Sequence, residues 1–394
     1  MSMKIAQVSF FYDKSLITAE EYLKQQYTIT GWAEALQRRG VETIVIGRFN
    51  KDISFEKNKV QYRFINDGIG SSFRWWRLPL KFLKKVRELD ADVVHLHNFT
   101  LSLQTLLLRM LLPAKTAIVI QHHGGRSPGK KKRRIHNFIN SVADAFFFTT
   151  EDQGREWFLR KKPFRKILPV MEGATFFNYE ERDAALQYRY IDRDETRRIT
   201  GISGDPVFLW VGRLDPNKDP LTILDGFEIW MEKYPGARLY MIYGDDKLSG
   251  EVIKKIQAST ILNSRVHLLG KIDHEQIRHY YNSADYFVLG SHYEGSGYAL
   301  SEALLCGCIP IVTSIPSFKM MTNSGKLGAL WEPGNEKSFI EAIKTTVNKP
   351  VRKEAEACIE FYKAKLCFDA IAEDARNHYR DIIQFKRQEA VREI

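Results

Sequence analysis

The chain has 394 residues, 44% apolar and 27% charged, a globular composition with more residues than one hydrophobic core usually serves. No apolar run approaches the roughly 18 residues of a membrane-spanning helix, and the opening MSMKIAQVSFFY lacks the basic-then-apolar layout of a secretory leader, so an integral membrane protein is not expected. The net charge of +11 is uneven: residues 1–170 hold 30 Lys and Arg against 15 Asp and Glu, and the remainder 29 against 33.

In chain order, short apolar runs alternate with amphipathic stretches. KIAQVSF, ETIVIGRF, VQYRFI, DVVHLHN, TAIVIQHH and AFFFTT read as strands; ITGWAEALQRRG, stopped by Gly40, LPLKFLKKVREL and LSLQTLLLRMLL read as helices between them. Strands joined through helices imply a parallel sheet covered on both faces. The pattern pauses at 172–204, which is charged and turn-rich, and resumes with PVFLWVG, ARLYMIYG, VHLLG, DYFVLGS and IPIVTS, again separated by helical segments. The expected architecture is therefore α/β: an N-terminal Rossmann-like domain over 1–171, a linker over 172–204, and a second doubly wound domain over 205–365. A final helix over 366–394 is expected to pack back towards the N-terminal domain, and the two domains to face one another across a cleft. The four cysteines, Cys306, Cys308, Cys358 and Cys367, lack zinc spacing and are expected as buried free thiols, which suits a reducing cytoplasm.

Open α/β sheets bind ligands outside the carboxyl ends of their strands, so the chemistry is sought in strand-to-helix loops. RLDPNKDP places Arg213 at a strand end and Lys218 before the next helix, two cations able to neutralise a diphosphate, although both also suit a solvated turn. In HYEGSGYALSE, Gly295 and Gly297 permit a tight turn into a helix whose first amides, Gly297, Tyr298 and Ala299, suit phosphate oxygens. Glu302 then lies where a carboxylate accepts two ribose hydroxyls, and Glu294 where it meets sugar hydroxyls beyond the phosphates.

VGRLDPNKDP, SADYFVLGSHYEGSGYALSEALLCGCIPIVTS and GALWEPGN together resemble the successive donor-site motifs of retaining glycosyltransferases of the GT-B fold, in the family-four group, whose signature is Glu, seven residues, Glu. The resemblance implies that Arg213 and Lys218 stabilise the leaving diphosphate, Glu302 binds the ribose, Glu294 the donor sugar, the amides from Ser296 to Ala299 the sugar and phosphates, and the Lys271–Ile272 backbone the base. Asp285 reads as a structural cap. His97 and the His122–His123 pair fall where the family places a cleft-facing histidine; His123, before Gly124 and Gly125, is the better match, with the choice between His122 and His123 left open. His123, Glu294, Arg213 and Lys218 are thus the expected catalytic residues.

Three departures stand out: Ser296 where an aromatic is frequent, PVMEGAT where Asn–Gly is usual, and FYDKSLITAEE after the first strand where a glycine pair is common. The implied activity is transfer of a sugar, with retention, from a nucleotide-diphosphate donor to a hydroxyl of a glycan, a lipid-linked acceptor or a small molecule, as in polysaccharide biosynthesis. No D-x-D loop is read as feeding a divalent metal, so neither metal nor cofactor is expected beyond the donor itself. The alternatives are an epimerase or hydrolase acting on nucleotide sugars, or a non-catalytic protein that binds anionic surfaces. FRWWRLPLKFLKKVRE, GRSPGKKKRRIHNF and RKKPFRK combine cations with aromatic residues and suit peripheral contact with the inner face of a membrane, unless the first is a core-facing helix and the second a solvated loop. A nucleic-acid partner is not expected, because no nucleic-acid fold signature accompanies the charge.

Overall fold

The computed structural model describes residues 3–70, 78–97, 99, 102–158, 166–173, 190–191, 193–244 and 247–392. The chain divides into two compact units, Met1–Gly173 with Phe368–Ile394, and Ala174–Cys367.

The N-terminal unit is built on an eight-stranded sheet: β1 (Lys4–Ser9), β2 (Glu42–Arg48), β3 (Ile53–Lys57), β4 (Val60–Ile65), β5 (Val93–Leu96), β6 (Ala117–Gln121), β7 (Ala145–Phe148) and β8 (Lys166–Pro169). Their order is β3-β4-β2-β1-β5-β6-β7-β8, parallel throughout except for β3. Central strands such as β5, β6 and β7 are buried at every position, as a sheet covered on both faces requires. The edge strand β3 joins β4 through Asn58 and Lys59, both at positive φ (55° and 63°), the backbone of a two-residue hairpin turn whose twist matches that of its strands.

The helix Leu80–Arg87 turns Phe82, Leu83 and Val86 into the core beneath the sheet and leaves Leu80 52% exposed. Phe82, Leu83 and Val86 of this basic stretch are thus a core stripe, while Leu80 is not part of it; its aromatic leader at 73–77 and the whole RKKPFR run at 160–165 lie outside the described residues. KKKRR, read above as a loop or an interfacial surface, opens the helix Lys130–Asn140.

The last helix, Phe368–Arg392, belongs to the N-terminal unit. Arg38 grips Asp369 through both carboxylate oxygens (3.2 and 2.9 Å), Arg39 pairs with Glu373 (2.8 Å), and Lys386 reaches the buried carboxylate of Asp144 (3.0 Å). Its first ring, Phe368, lies against both Gly31 and Gly173.

The second unit carries a wholly parallel six-stranded sheet: β9 (Val207–Gly212), β10 (Arg238–Tyr243), β11 (Val266–Gly270), β12 (Tyr286–Leu289), β13 (Ile309–Thr313) and β14 (Ala329–Trp331), in the order β11-β10-β9-β12-β13-β14. The stretch read as linker contains a helix, Arg193–Thr200, that is part of this unit; residues 174–189 lie outside the description. Asp285 explains its docking: one carboxylate forms an ion pair with Arg193 (3.2 Å) and accepts from Arg197 (2.8 Å) and the Val207 amide (2.8 Å), fixing helix to sheet. All four cysteines are free and buried, and burial pushes the Cys308 thiol up to about 12.

A Cβ on Gly31 would lie 2.5 Å from the Phe368 ring, so Gly31→Val should destabilise the protein by about 1–3 kcal/mol in urea unfolding through overpacking. Unchanged or raised stability would mean that the ring swings aside and that helix propensity wins.

Candidate active site

In the C-terminal sheet the strands run β9, β10, β11 to one side and β12, β13, β14 to the other, so the order reverses between β9 and β12. The loops leaving the carboxyl ends of these two neighbours diverge, which makes their mouth the place where a ligand fits. The β9 loop carries Arg213 and Lys218; the β12 loop carries Glu294 and Ser296.

The two loops are stitched together. Asn217 donates to the Tyr293 carbonyl (2.9 Å) and receives the His292 amide on its own carbonyl (2.8 Å). Asp219 holds a left-handed backbone (φ 45°), caps the helix Pro220–Met231 by accepting the Thr222 amide, and accepts a hydrogen bond from the His292 ring (3.2 Å). A Cβ on Gly290 would lie 2.9 Å from the Asp219 carbonyl, so this approach of backbones needs glycine.

Across this seam the Lys218 ammonium is paired with the Glu294 carboxylate, both side chains 13% exposed. Ser291 donates to the same carboxylate oxygen (2.6 Å), and its own carbonyl accepts from Thr313 (2.5 Å). An ammonium has three donors, so Lys218 can keep Glu294 and still reach an anion. Arg213 stands at the strand end with 59% of its side chain exposed, 3.3 Å from Asp215, which also accepts the Lys218 amide and so sets the turn.

The helix Tyr298–Leu305 begins directly after Gly297, whose φ of +70° and close approach to Phe318, 2.8 Å from an added Cβ, exclude any other residue without strain. Gly297, at the N-cap, has no side chain with which to cap this helix. Its positive end is thus aimed into the loop that holds Glu294. Ser296 is buried just ahead of it.

Glu302, one turn in, is 6% exposed, with Oε1 2.8 Å from His274 Nε2 and Oε2 accepting from the Tyr281 hydroxyl at 3.4 Å. His274 opens the helix His274–Ser283 two residues after Lys271 and Ile272, so the segment expected beside a base is tied to the carboxylate expected beside the ribose. A ligand hydroxyl at Glu302 would share that carboxylate with the His274 ring, whose side chain is half exposed.

In the N-terminal unit the adjacent histidines turn to different surroundings. The His122 amide continues the ladder to the Phe147 carbonyl, and its ring turns inward, stacked on Phe148 at 4.8 Å, with Nε2 3.2 Å from the Gly125 carbonyl. His123 emerges on the opposite side, 31% of its side chain exposed, bonded through Nε2 to His97 Nδ1 (3.0 Å) and through Nδ1 to Glu172. His97 is buried and reaches the Gln7 side-chain oxygen (2.5 Å).

The family model described as Glycosyl transferases group 1 matches residues 192–365, and that described as Glycosyltransferase Family 4 matches residues 25–166. The chain belongs to the group 1 glycosyltransferases, with two α/β units of the GT-B fold. Among curated relatives of this group 1 chain, mannosylfructose-phosphate synthase of Agrobacterium fabrum is 27% identical over 52% of this chain and 42% of its own. GDP-mannose:cellobiosyl-diphosphopolyprenol alpha-mannosyltransferase of Xanthomonas oryzae is 24% identical over 61% and 60%. The chain thus spans about half the length of the curated relatives it matches. A solved sucrose-phosphate synthase from Thermosynechococcus elongatus superposes with a TM-score of 0.71 at 20% identity, covering 97% of this chain and 99% of that one, a likeness of fold.

Three side chains of the C-terminal unit's site, Ser291, His274 and Tyr281, were not singled out from sequence, nor was Glu172 in the N-terminal unit. Ser291 adjoins the motif and was within reach of inspection; the others meet their partners only through the fold.

Burial holds His95 and His97 well below the ordinary histidine range and lowers His122 to about 4. These rings bind fewer protons folded than unfolded, so stability is full above the unfolded value near 6.5 and falls as pH drops towards the folded values. Thermal unfolding should show a falling melting temperature from pH 7 to pH 5, steeper than in His122→Asn, by about 1.4 kcal/mol per pH unit for each ring. A flat profile over that window would contradict it.

Proposed function

We propose that the chain transfers a sugar, with retention, from a nucleotide-diphosphate donor to an acceptor hydroxyl. The observation that carries this reading is the convergence at the β9/β12 reversal of Arg213, the Lys218–Glu294 pair and the N-terminus of the helix Tyr298–Leu305, with Glu302 one turn on. Two cations and a helix N-terminus are what a leaving diphosphate requires; a recessed carboxylate on either side is what the ribose and the sugar require. In this proposal Arg213 and Lys218 bind the phosphates, the amides of Ser296, Gly297, Tyr298 and Ala299 the phosphates and sugar, Glu302 the ribose, Glu294 the sugar, and the Lys271–Ile272 backbone the base. For the N-terminal unit, we propose that His123 contacts the transferred sugar. The names of the relatives, which join sugars to sugar phosphates or to a diphosphopolyprenol-linked glycan, support a hydroxyl acceptor of glycan, lipid-linked or small-molecule type.

In the step proposed, the bond from the anomeric carbon to the diphosphate oxygen breaks with its electron pair leaving on that oxygen. The acceptor oxygen bonds the anomeric carbon from the same face, and its proton passes to the departing phosphate. Charge grows on the diphosphate as the bond stretches, so Arg213, Lys218 and the helix N-terminus act most strongly in the transition state. The cations already present make a divalent metal unnecessary in this account, and transfer should be insensitive to a chelator.

We also propose that the N-terminal unit touches an anionic membrane surface. The helix Lys130–Asn140 sets five consecutive cations beside Ile135 and Phe138, the latter 80% exposed, and Met110 of the helix Ser102–Leu111 is exposed nearby. No helix among the described residues is long and apolar enough to cross a membrane.

Glu294→Ala and Lys218→Ala should each reduce nucleotide release in the presence of acceptor by at least about tenfold with the circular-dichroism spectrum preserved, because one charge-assisted contact is worth roughly 1.5–3 kcal/mol. Wild-type turnover in both would sink the site assignment; nucleotide release at equal rate without acceptor would favour a hydrolase. Phe138→Asp should lower sedimentation with phosphatidylserine vesicles without changing transfer to a soluble acceptor, and unchanged sedimentation would remove the membrane proposal.

A further inference from the structure

The N-terminal unit contains a linear chain of polar side chains, Gln7, His97, His123 and Glu172, that runs from the buried centre of the sheet to a partly exposed imidazole. Gln7 lies on β1 and His97 just beyond β5, the two strands between which the order of this sheet reverses. Both Gln7 and His97 are buried, the ring of His97 lies 6.0 Å edge-on from Trp32, and the Glu172 side chain is only 4% exposed. A carboxylate this deep in a protein is placed there by what it bonds, since burial alone would penalise its charge.

The hydrogens of this chain can be counted. An ionised carboxylate only accepts, so the ion-pair contact of Glu172 with Nδ1 of His123 is favourable when that nitrogen carries the proton. At the other end, if the Gln7 oxygen accepts from Nε2 of a His97 that burial keeps neutral, His97 Nδ1 accepts and His123 Nε2 donates, which puts both protons on His123 as an imidazolium beside Glu172. If instead the Gln7 amide is turned over, its nitrogen, which has no partner among the described residues, donates to His97, and both rings are neutral. In either arrangement Nδ1 of His123 carries a proton.

We infer that Glu172 is a positioning residue for His123: it fixes the ring plane and the proton on Nδ1, so that Nε2 is the atom presented, to His97 in this structure and to a ligand oxygen when one displaces that bond. Burial and, after it, the neighbouring His122 imidazole push His123 towards neutrality. A free imidazole in water prefers the opposite tautomer, with the proton on Nε2; without Glu172 the ring would present an N–H in the wrong place or rotate. The consequence for transfer rests on the transferase reading above, but the tautomer does not.

The test is histidine-selective nitrogen-15 spectroscopy of the whole protein without any substrate, beside steady-state transfer. Wild type is expected to show Nδ1 of His123 protonated at pH 7, and Glu172→Ala a shift to the Nε2-protonated tautomer. The variant should lose about tenfold or more in kcat with the donor KM within about twofold, and Glu172→Asp should recover part of the loss. Should Glu172→Ala not fold, the near-isosteric Glu172→Gln is measured in its place, with the same loss of kcat expected because its amide N–H can turn to Nδ1 and hold the opposite tautomer. An Nε2-protonated His123 in wild type, or a spectrum and kcat unchanged by both substitutions, would overturn the proposal. Absence of transfer in wild type alongside the expected spectra would instead count against the transferase reading and leave the role of Glu172 standing.

Discussion

The ion pair between Lys218 and Glu294 bridges the one place in the C-terminal sheet where strand order reverses, and the site is organised around it. A parallel sheet sends all its strand-end loops out of one edge, and only at a reversal do neighbouring loops part to leave room for a ligand. Parted loops also lack the support that adjacent loops give one another. Here the support is polar: Asn217 and Asp219 from one side meet His292 and Tyr293 from the other, and Lys218 and Glu294 close the seam with Ser291 behind them. Because both charges are largely buried, each depends on the other for compensation, and their geometry is held before any ligand arrives.

Around that seam each further group has a local reason for its position. Gly297 can take a left-handed backbone against Phe318, so the helix that follows starts abruptly, with its positive end towards the loop. That helix then carries Glu302 inward to the rings of His274 and Tyr281, which hold a carboxylate in a recess where water alone would not. In the N-terminal unit the same logic recurs with different residues: the strand order reverses between β1 and β5, and the polar side chains gathered there are tied to the terminal helix through the bond of Tyr379 to His95 (2.6 Å).

Most strands were legible because buried parallel strands are short runs of β-branched and aromatic residues. β3 was not, since ISFEK lies at an edge with most of its side chains at least partly exposed, and the edge removes the apolar pattern on which the reading depends. The helix Arg193–Thr200 escaped for a related reason: it packs through Arg193 and Arg197 on Asp285, and a helix docked by charge has no apolar stripe. Within the site, Arg213, Lys218, Glu294 and Glu302 could be found because loop position and spacing are local properties. His274 lies 28 residues before the carboxylate it touches, and Glu172 lies 49 after the histidine it orients; neither contact has a trace in spacing. His122 and His123 differ by one residue of strand register, which sequence does not set: the His122 amide extends the β6 ladder to Phe147.

The central claim, that the reversal point holds a nucleotide sugar, is tested most directly by calorimetric titration of the metal-free protein with UDP-, GDP- and ADP-sugars, repeated on Glu302→Ala. The account predicts saturable binding of one nucleotide class, at least about tenfold weaker in the variant, since a buried carboxylate bonding two ribose hydroxyls contributes roughly 1.5–3 kcal/mol. Binding of none of the three, or binding that Glu302→Ala leaves unchanged, would contradict it.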